Sequence, residues 1–143
     1  MIIVGACCAN GGIGFNGKLP WKNSADMKHF RETTMGKTLL VGRKTAEQLP
    51  PLKGRKVIVL SRTNGVNLDD YADKDVILIG GAEVWKYALE KDFVDEMIIT
   101  YIHESYECDT YFPFEAMWGK FTVEKAVYLD DKTRVMYYSK KMN

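Results

Sequence analysis

Asp26 and Phe30 stand four residues apart, the spacing that puts two side chains on one face of a helix. An acid and an aromatic ring would thus line one wall of a cleft. Just upstream, Leu19-Pro20-Trp21 forms a rigid aromatic turn. Fixed positive charge follows at Gly42-Arg43-Lys44-Thr45, at Lys53-Gly54-Arg55-Lys56 and at Arg62 after Leu60-Ser61. This assortment suits a ligand that is flat and heteroaromatic at one end and anionic elsewhere.

Each feature also has a plainer explanation. Asn23 or Ser24 caps the helix that starts at Ala25, so Asp26 falls in its first turn. The helix dipole favours acids there by about 0.3–1 kcal/mol. Apolar neighbours would raise the Asp26 pKa and the helix amino terminus would lower it, and the residues leave that contest open. Met27, Phe30 and Thr34 follow the spacing of a core-facing stripe. Gly42-Arg43-Lys44-Thr45 opens a helix after a strand, as an anion site would and as an ordinary basic turn would too. Gly80-Gly81 repeats that pattern before the helix starting near Ala82, allowing close approach of a phosphate or an unusual peptide geometry that other residues cannot adopt. Two such junctions, with Arg62 in reach, suggest a ligand carrying more than one phosphate. Arg55 reads equally as a solvated cation before a strand and as a planar clamp for a carboxylate.

The elements that must position these residues follow from apolar patterning. Strand signals cover residues 2–8, 38–41, 56–60, 75–79, 97–102, 121–129 and 133–140, and helical signals cover 25–34, 44–48 and 83–91. Val57-Ile58-Val59-Leu60 and Val76-Ile77-Leu78-Ile79 are continuously apolar, as strands covered on both faces are. The alternation predicts an α/β fold, a three-layer αβα sandwich with a mostly parallel central sheet. Asp130-Asp131-Lys132 is a polar turn, so the last two strands form an antiparallel hairpin. Residues 9–18 form a glycine-dense loop after the first strand, without the GxGxxG spacing of a dinucleotide fingerprint. They read as a mobile cover over a pocket or as a plain connection.

At 143 residues the chain is expected to be one domain, 1–143, of ordinary globular composition. A net charge of +1 provides no field to gather nucleic acid or an anionic membrane. The apolar runs are strand-sized, too short to cross a bilayer. Cys7 and Cys8 adjoin on a strand and face opposite ways, Cys108 is a further thiol, and no pairing framework is evident among the three cysteines. Their pattern reads as buried small hydrophobes in a reducing compartment, here the cytoplasm. Two histidines, His29 and His103, lack neighbours at ligand spacing, so no metal site is expected.

Taken in order, Leu19-Pro20-Trp21, Asp26-(x)3-Phe30, Gly42-Arg43-x-Thr45, Gly54-Arg55-Lys56, Leu60-Ser61-Arg62, Ile79-Gly80-Gly81, Thr100 and Asp109-Thr110-x-Phe112-Pro113 resemble the motifs of dihydrofolate reductase. The set spans nearly the whole chain. The resemblance implies reduction of 7,8-dihydrofolate to tetrahydrofolate by hydride transfer from NADPH, in a monomer. It implies that Asp26, Trp21 and Thr100 form the catalytic end. Ala6, Cys7, Leu19, Met27, Phe30, Leu49, Leu52 and Arg55 would complete the substrate site, Arg55 taking the α-carboxylate. NADPH would lie along Ala6, Ile13, Gly14, Leu19, Gly42, Arg43, Lys44, Thr45, Leu60, Ser61 and Arg62. It would continue along Ile79, Gly80, Gly81, Ala82, Glu83, Val84 and Trp85, with a cis bond joining the glycine pair. Three positions depart from the family's usual pattern: a short connector at 63–74, Glu83 where relatives are often basic, and Ala46 where they are often aromatic. The same fold also serves the NADPH-dependent reductase of riboflavin biosynthesis, which does not account for Leu19-Pro20-Trp21 with Asp26 and Phe30. A non-catalytic folate- or nucleotide-binding protein is the other alternative, and turnover separates it.

Overall fold

Alternation along the strands decides which side chains meet which layer. In the computed structural model, which describes residues 1–61 and 65–142, the strands are β1 Ile2–Cys8, β2 Gly12–Gly14, β3 Thr38–Gly42, β4 Lys56–Leu60 and β5 Ile77–Leu78. They continue with β6 Glu96–Ile102, β7 Thr110–Tyr111, β8 Phe121–Tyr128 and β9 Thr133–Lys140. The helices are α1 Ser24–Thr34, α2 Arg43–Glu47 and α3 Ala82–Glu90, with 3-10 turns at Leu68–Tyr71 and Phe114–Ala116. A seven-stranded sheet runs in the order β4-β3-β5-β1-β6-β9-β8. The pairings from β4 to β6 are parallel, and β9 lies antiparallel to both β6 and β8.

On one face Ile3, Cys7, Leu40, Leu78, Met97 and Ile99 pack beneath Trp85, Ala88 and Leu89 of α3. On the other, Val4, Leu39, Val41, Ile77 and Ile79 meet Phe30 of α1, with Leu49 and Leu52 beyond α2. This is the expected three-layer arrangement. Trp85 pins the α3 layer: its indole N–H donates to the Leu78 carbonyl at 3.0 Å. A Cβ on Gly5 would lie 2.7 Å from the same ring, so glycine is what allows the indole to lie flat on β1.

The structure differs from the sequence reading in four places. β4 is an edge strand, and Val57 is 38% exposed, because helical cover ends before its first residues. β5 pairs only at Ile77 and Leu78, so the 75–79 run is mostly flanking chain. The glycine-dense loop is not wholly irregular, since β2 pairs with β7 in a small antiparallel ribbon. Met27 departs from the core stripe and is 60% exposed.

Candidate active site

The two glycine junctions and the start of α1 lie at the carboxyl ends of β3, β5 and β6, where open α/β sheets bind ligands, whereas Arg55 precedes β4 at the opposite edge. Asn23 caps α1: its Oδ1 accepts the Asp26 backbone N–H at 2.9 Å. Its amide also donates to Thr133 Oγ1 at 2.8 Å, tying the start of α1 to the start of β9. Asp26 is thereby held 8% exposed, against Trp21 at 7%. The Trp21 indole N–H points to Asp26 Oδ2 at 3.5 Å, too long for a strong hydrogen bond. Burial therefore dominates and pushes the Asp26 pKa up, with the Trp21 contact opposing it.

Phe30 and Thr34 continue the same face of α1. Thr34 is fully buried and its hydroxyl donates to the Phe30 carbonyl at 2.8 Å. It also accepts from Arg55 Nη1 at 3.2 Å, while Arg55 Nε donates to the Lys53 carbonyl at 3.0 Å. These two contacts orient the guanidinium, and among the described residues no acid pairs with it. Two helical turns, roughly 12 Å at 1.5 Å per residue, separate the buried acid from the residue that holds the arginine. Thr34 acts here as the arginine's support, a role the core-stripe reading did not include.

The floor comes from β1 and β6. Their register sets Ala6 beside Thr100, and Thr100 is 1% exposed. Ala6 packs with Trp21 and Ile102, whereas the Cys7 side chain enters the α3 core. Only main chain of Cys7 is therefore available on the α1 side. Burial and the adjacent Cys8 push the Cys7 thiol up to about 12, so it is an inert core group. Leu49 and Leu52 are half-buried beside Phe30. Leu19 and Met27 are exposed apolar residues flanking the acid in sequence.

Gly42 and Gly80 bring the two glycine-tipped junctions together, the Gly42 N–H donating to the Gly80 carbonyl at 2.8 Å. The Gly80–Gly81 peptide is cis. A Cβ on Gly81 would lie 2.8 Å from Thr45 Oγ1, so a larger residue would have to displace that hydroxyl. Arg43 and Lys44 are exposed beside it, as is Glu83 in the first turn of α3. Ala82 and Val84 are half-buried, but the Trp85 side chain lies in the core, leaving its main chain alone near the junction. Leu60 and Ser61 end β4 nearby in the sheet order, Ile79 ends the β5 run, and Arg62 lies outside the described residues. Of the 63–74 connector, the described part holds one 3-10 turn with Leu68 buried. Ala46 packs on the α1-side core.

Sequence reasoning missed the hold on the glycine-dense loop. Asp109 accepts the Asn16 N–H on Oδ2 at 3.0 Å, and its own N–H donates to the Gly14 carbonyl at 2.9 Å. These bonds fix Gly14 and Asn16 to Asp109, while Ile13 packs against the α3-side core. Asp109 was visible as part of a motif, but nothing in its spacing reveals a partner over ninety residues away.

The layered sheet, the buried acid beside an aromatic ring and the paired glycine junctions are arranged as in α/β enzymes that bind a ligand at a sheet edge. The family model described as dihydrofolate reductase matches residues 1–142. The dihydrofolate reductase of Lactococcus lactis subsp. lactis (strain IL1403) is 32% identical, over 87% of this chain and 84% of that protein. That of Haemophilus influenzae is 34% identical over 85% and 83%. A solved dihydrofolate reductase from Enterococcus faecalis, complexed with NADP(H) and RAB-propyl, superposes with a TM-score of 0.84 at 32% identity, covering 99% of this chain and 97% of that one. The chain belongs to the dihydrofolate reductase family and is an NADPH-dependent enzyme of that type.

Proposed function

We propose that this chain reduces 7,8-dihydrofolate to 5,6,7,8-tetrahydrofolate, with the substrate lying along the α1 face. The observation that carries the reading is the pairing of buried Asp26 with oriented Arg55 at opposite ends of that face. Asp26 binds the pterin's ring nitrogen and amino group, and its raised pKa keeps a proton available near N5. Thr100 hydrogen-bonds beside it, while Phe30, Leu49 and Leu52 cover the rings. NADPH supplies the hydride that goes to C6. Its fit rests on the Gly80–Gly81 cradle under Thr45, with Arg43 and Arg62 as partners of the 2′-phosphate. Trp21 and Leu19 exclude water from the nicotinamide end. The 1–143 chain works as one monomeric domain in the cytoplasm, binding neither nucleic acid nor membrane. A net charge of +1 supports the lack of nucleic-acid binding; among the described residues no helix is long and apolar enough to span a bilayer.

The test is NADPH oxidation followed by absorbance with and without dihydrofolate. Consumption that does not depend on dihydrofolate would refute the reading.

Two further expectations arise from the charged ends. Arg55→Leu removes a contact remote from the reacting carbon, so KM for dihydrofolate rises while kcat is largely kept. An unchanged KM would return Arg55 to the role of a solvated cation before β4. Arg43→Ala removes one charge-assisted contact that NADH cannot make, each worth roughly 1.5–3 kcal/mol. Wild-type protein then prefers NADPH by an order of magnitude or more, and the variant loses much of that preference. Equal kcat/KM for both cofactors in the wild type would refute the 2′-phosphate assignment and leave the folate site standing.

A further inference from the structure

Cys8 and Cys108 are a hundred residues apart in sequence, yet their sulfurs lie 3.8 Å apart. Cys8 is the last residue of β1 and 1% exposed, whereas Cys108 is half-buried in the segment before β7. The seat is specific. A Cβ on Gly12 would fall 2.1 Å from Cys108 Sγ, so the thiol occupies the space that a side chain at position 12 would need. The Cys8 thiol donates to Asn10 Oδ1 at 2.7 Å, and that oxygen also accepts the Gly12 N–H at 3.1 Å. The Asn10 amide donates to the Tyr106 carbonyl at 2.8 Å. The pair therefore sits where the 9–18 loop leaves β1, one residue from the Asp109 that holds Gly14 and Asn16.

We propose that Cys8 and Cys108 are a redox modification site: they close a reversible disulfide that tethers the root of the 9–18 loop to the segment before β7. A disulfide needs the sulfurs at about 2.05 Å, so closure asks for a shift of roughly 2 Å, available to Cys108 because it lies outside regular structure. The oxidant is a low-molecular-weight disulfide. The more accessible Cys108 thiolate attacks it, forming a mixed disulfide and releasing one thiolate. The Cys8 thiolate then attacks the Cys108 sulfur and releases the second. The two cysteine sulfurs are oxidised, the small disulfide is reduced to two thiols, and the two cysteine protons end on those thiols. Burial and the neighbouring Cys8 thiol push Cys108 up to about 11, so exchange accelerates toward alkaline pH.

The bridge and its hold on the loop are both readable without turnover, so their failure is distinct from failure of the reductase reading. Folded protein is incubated with excess glutathione disulfide at mildly alkaline pH, digested without reduction and mapped by mass. We expect a Cys8–Cys108 peptide with a loss of about 2 Da, reversed by dithiothreitol and absent in Cys108→Ser. Native tryptic cleavage after exposed Lys18 slows several-fold in the bridged protein, and NADPH-dependent turnover falls with it, because cover loops must open for product release. Reduced Cys108→Ser turns over like the wild type and ignores the oxidant. A persistent glutathione adduct, a bridge involving Cys7 or no reaction would overturn the site. A bridged protein cleaved at Lys18 at the unbridged rate would overturn the tether.

Discussion

Asp26→Asn is expected to fold and to lose about 10²–10⁴-fold in kcat at neutral pH, the usual contribution of a positioned proton donor or acceptor. Asn fills the same volume and can accept from Trp21, but it carries no exchangeable acid proton. The deficit shrinks as pH falls, because solvent then protonates the substrate directly. Stability moves the other way from activity. Burial raises the folded pKa of Asp26, so the folded state binds this proton more tightly than the unfolded state. The penalty is absent below the ordinary Asp value and grows as pH rises through the raised one. The Asn variant lacks that penalty and is at least as stable as wild type at neutral pH. Near-normal turnover by the variant at pH 7 would remove Asp26 from the chemistry.

The second large effect is on stability. Trp85→Ala removes a ring that touches Gly5, lies tilted 5.2 Å from Phe112 and donates to the Leu78 carbonyl. Burying aromatic volume and then deleting it costs about 3–5 kcal/mol, against a total of about 5–15 kcal/mol for a domain. Urea titration should show a much lower midpoint with little change in slope. Trp85→Phe keeps most of the packing and loses the indole N–H bond to the Leu78 carbonyl, a net loss of about 0.5–1.5 kcal/mol. Cofactor affinity should weaken alongside, because α3 carries the glycine junction. A midpoint for Trp85→Ala close to wild type would mean that the ring is not the anchor of this layer.

Long periodic elements were readable before any coordinates. Lys56–Leu60 and Thr133–Lys140 begin and end where their apolar runs do, and α1 starts within a residue of its expected place. Short elements were not. Gly12–Gly14 and Thr110–Tyr111 carry no periodicity, and their pairing exists only because distant chain meets there. Val57 shows why a continuous apolar run does not by itself prove cover on both faces: burial depends on where in the sheet a strand falls. The candidate site divides the same way. Asp26, Phe30, Arg55 and the glycine pairs stand out as candidates by type and spacing. Their supports, Thr34 under Arg55, Thr133 behind Asn23 and Asp109 under the loop, are contacts over long sequence separations. Local pattern holds no record of such contacts, nor of Cys108 meeting Cys8.

The Asn23–Thr133 bond joins residues 110 apart, and β6, which carries Thr100, is flanked on one side by β9. This makes the site a late product of the chain's own synthesis. Translation at about 5–20 residues per second delivers Asp26 long before the strand that anchors its helix. An amino-terminal fragment ending before β9 carries Asp26, Phe30, Arg55 and both glycine junctions, yet lacks the contact that sets the acid. Ligand then favours only chains that have been made in full, because binding stabilises the state that can bind. In a cell, substrate and cofactor would act as selective partners of finished molecules, leaving stalled or truncated ones unprotected from proteolysis.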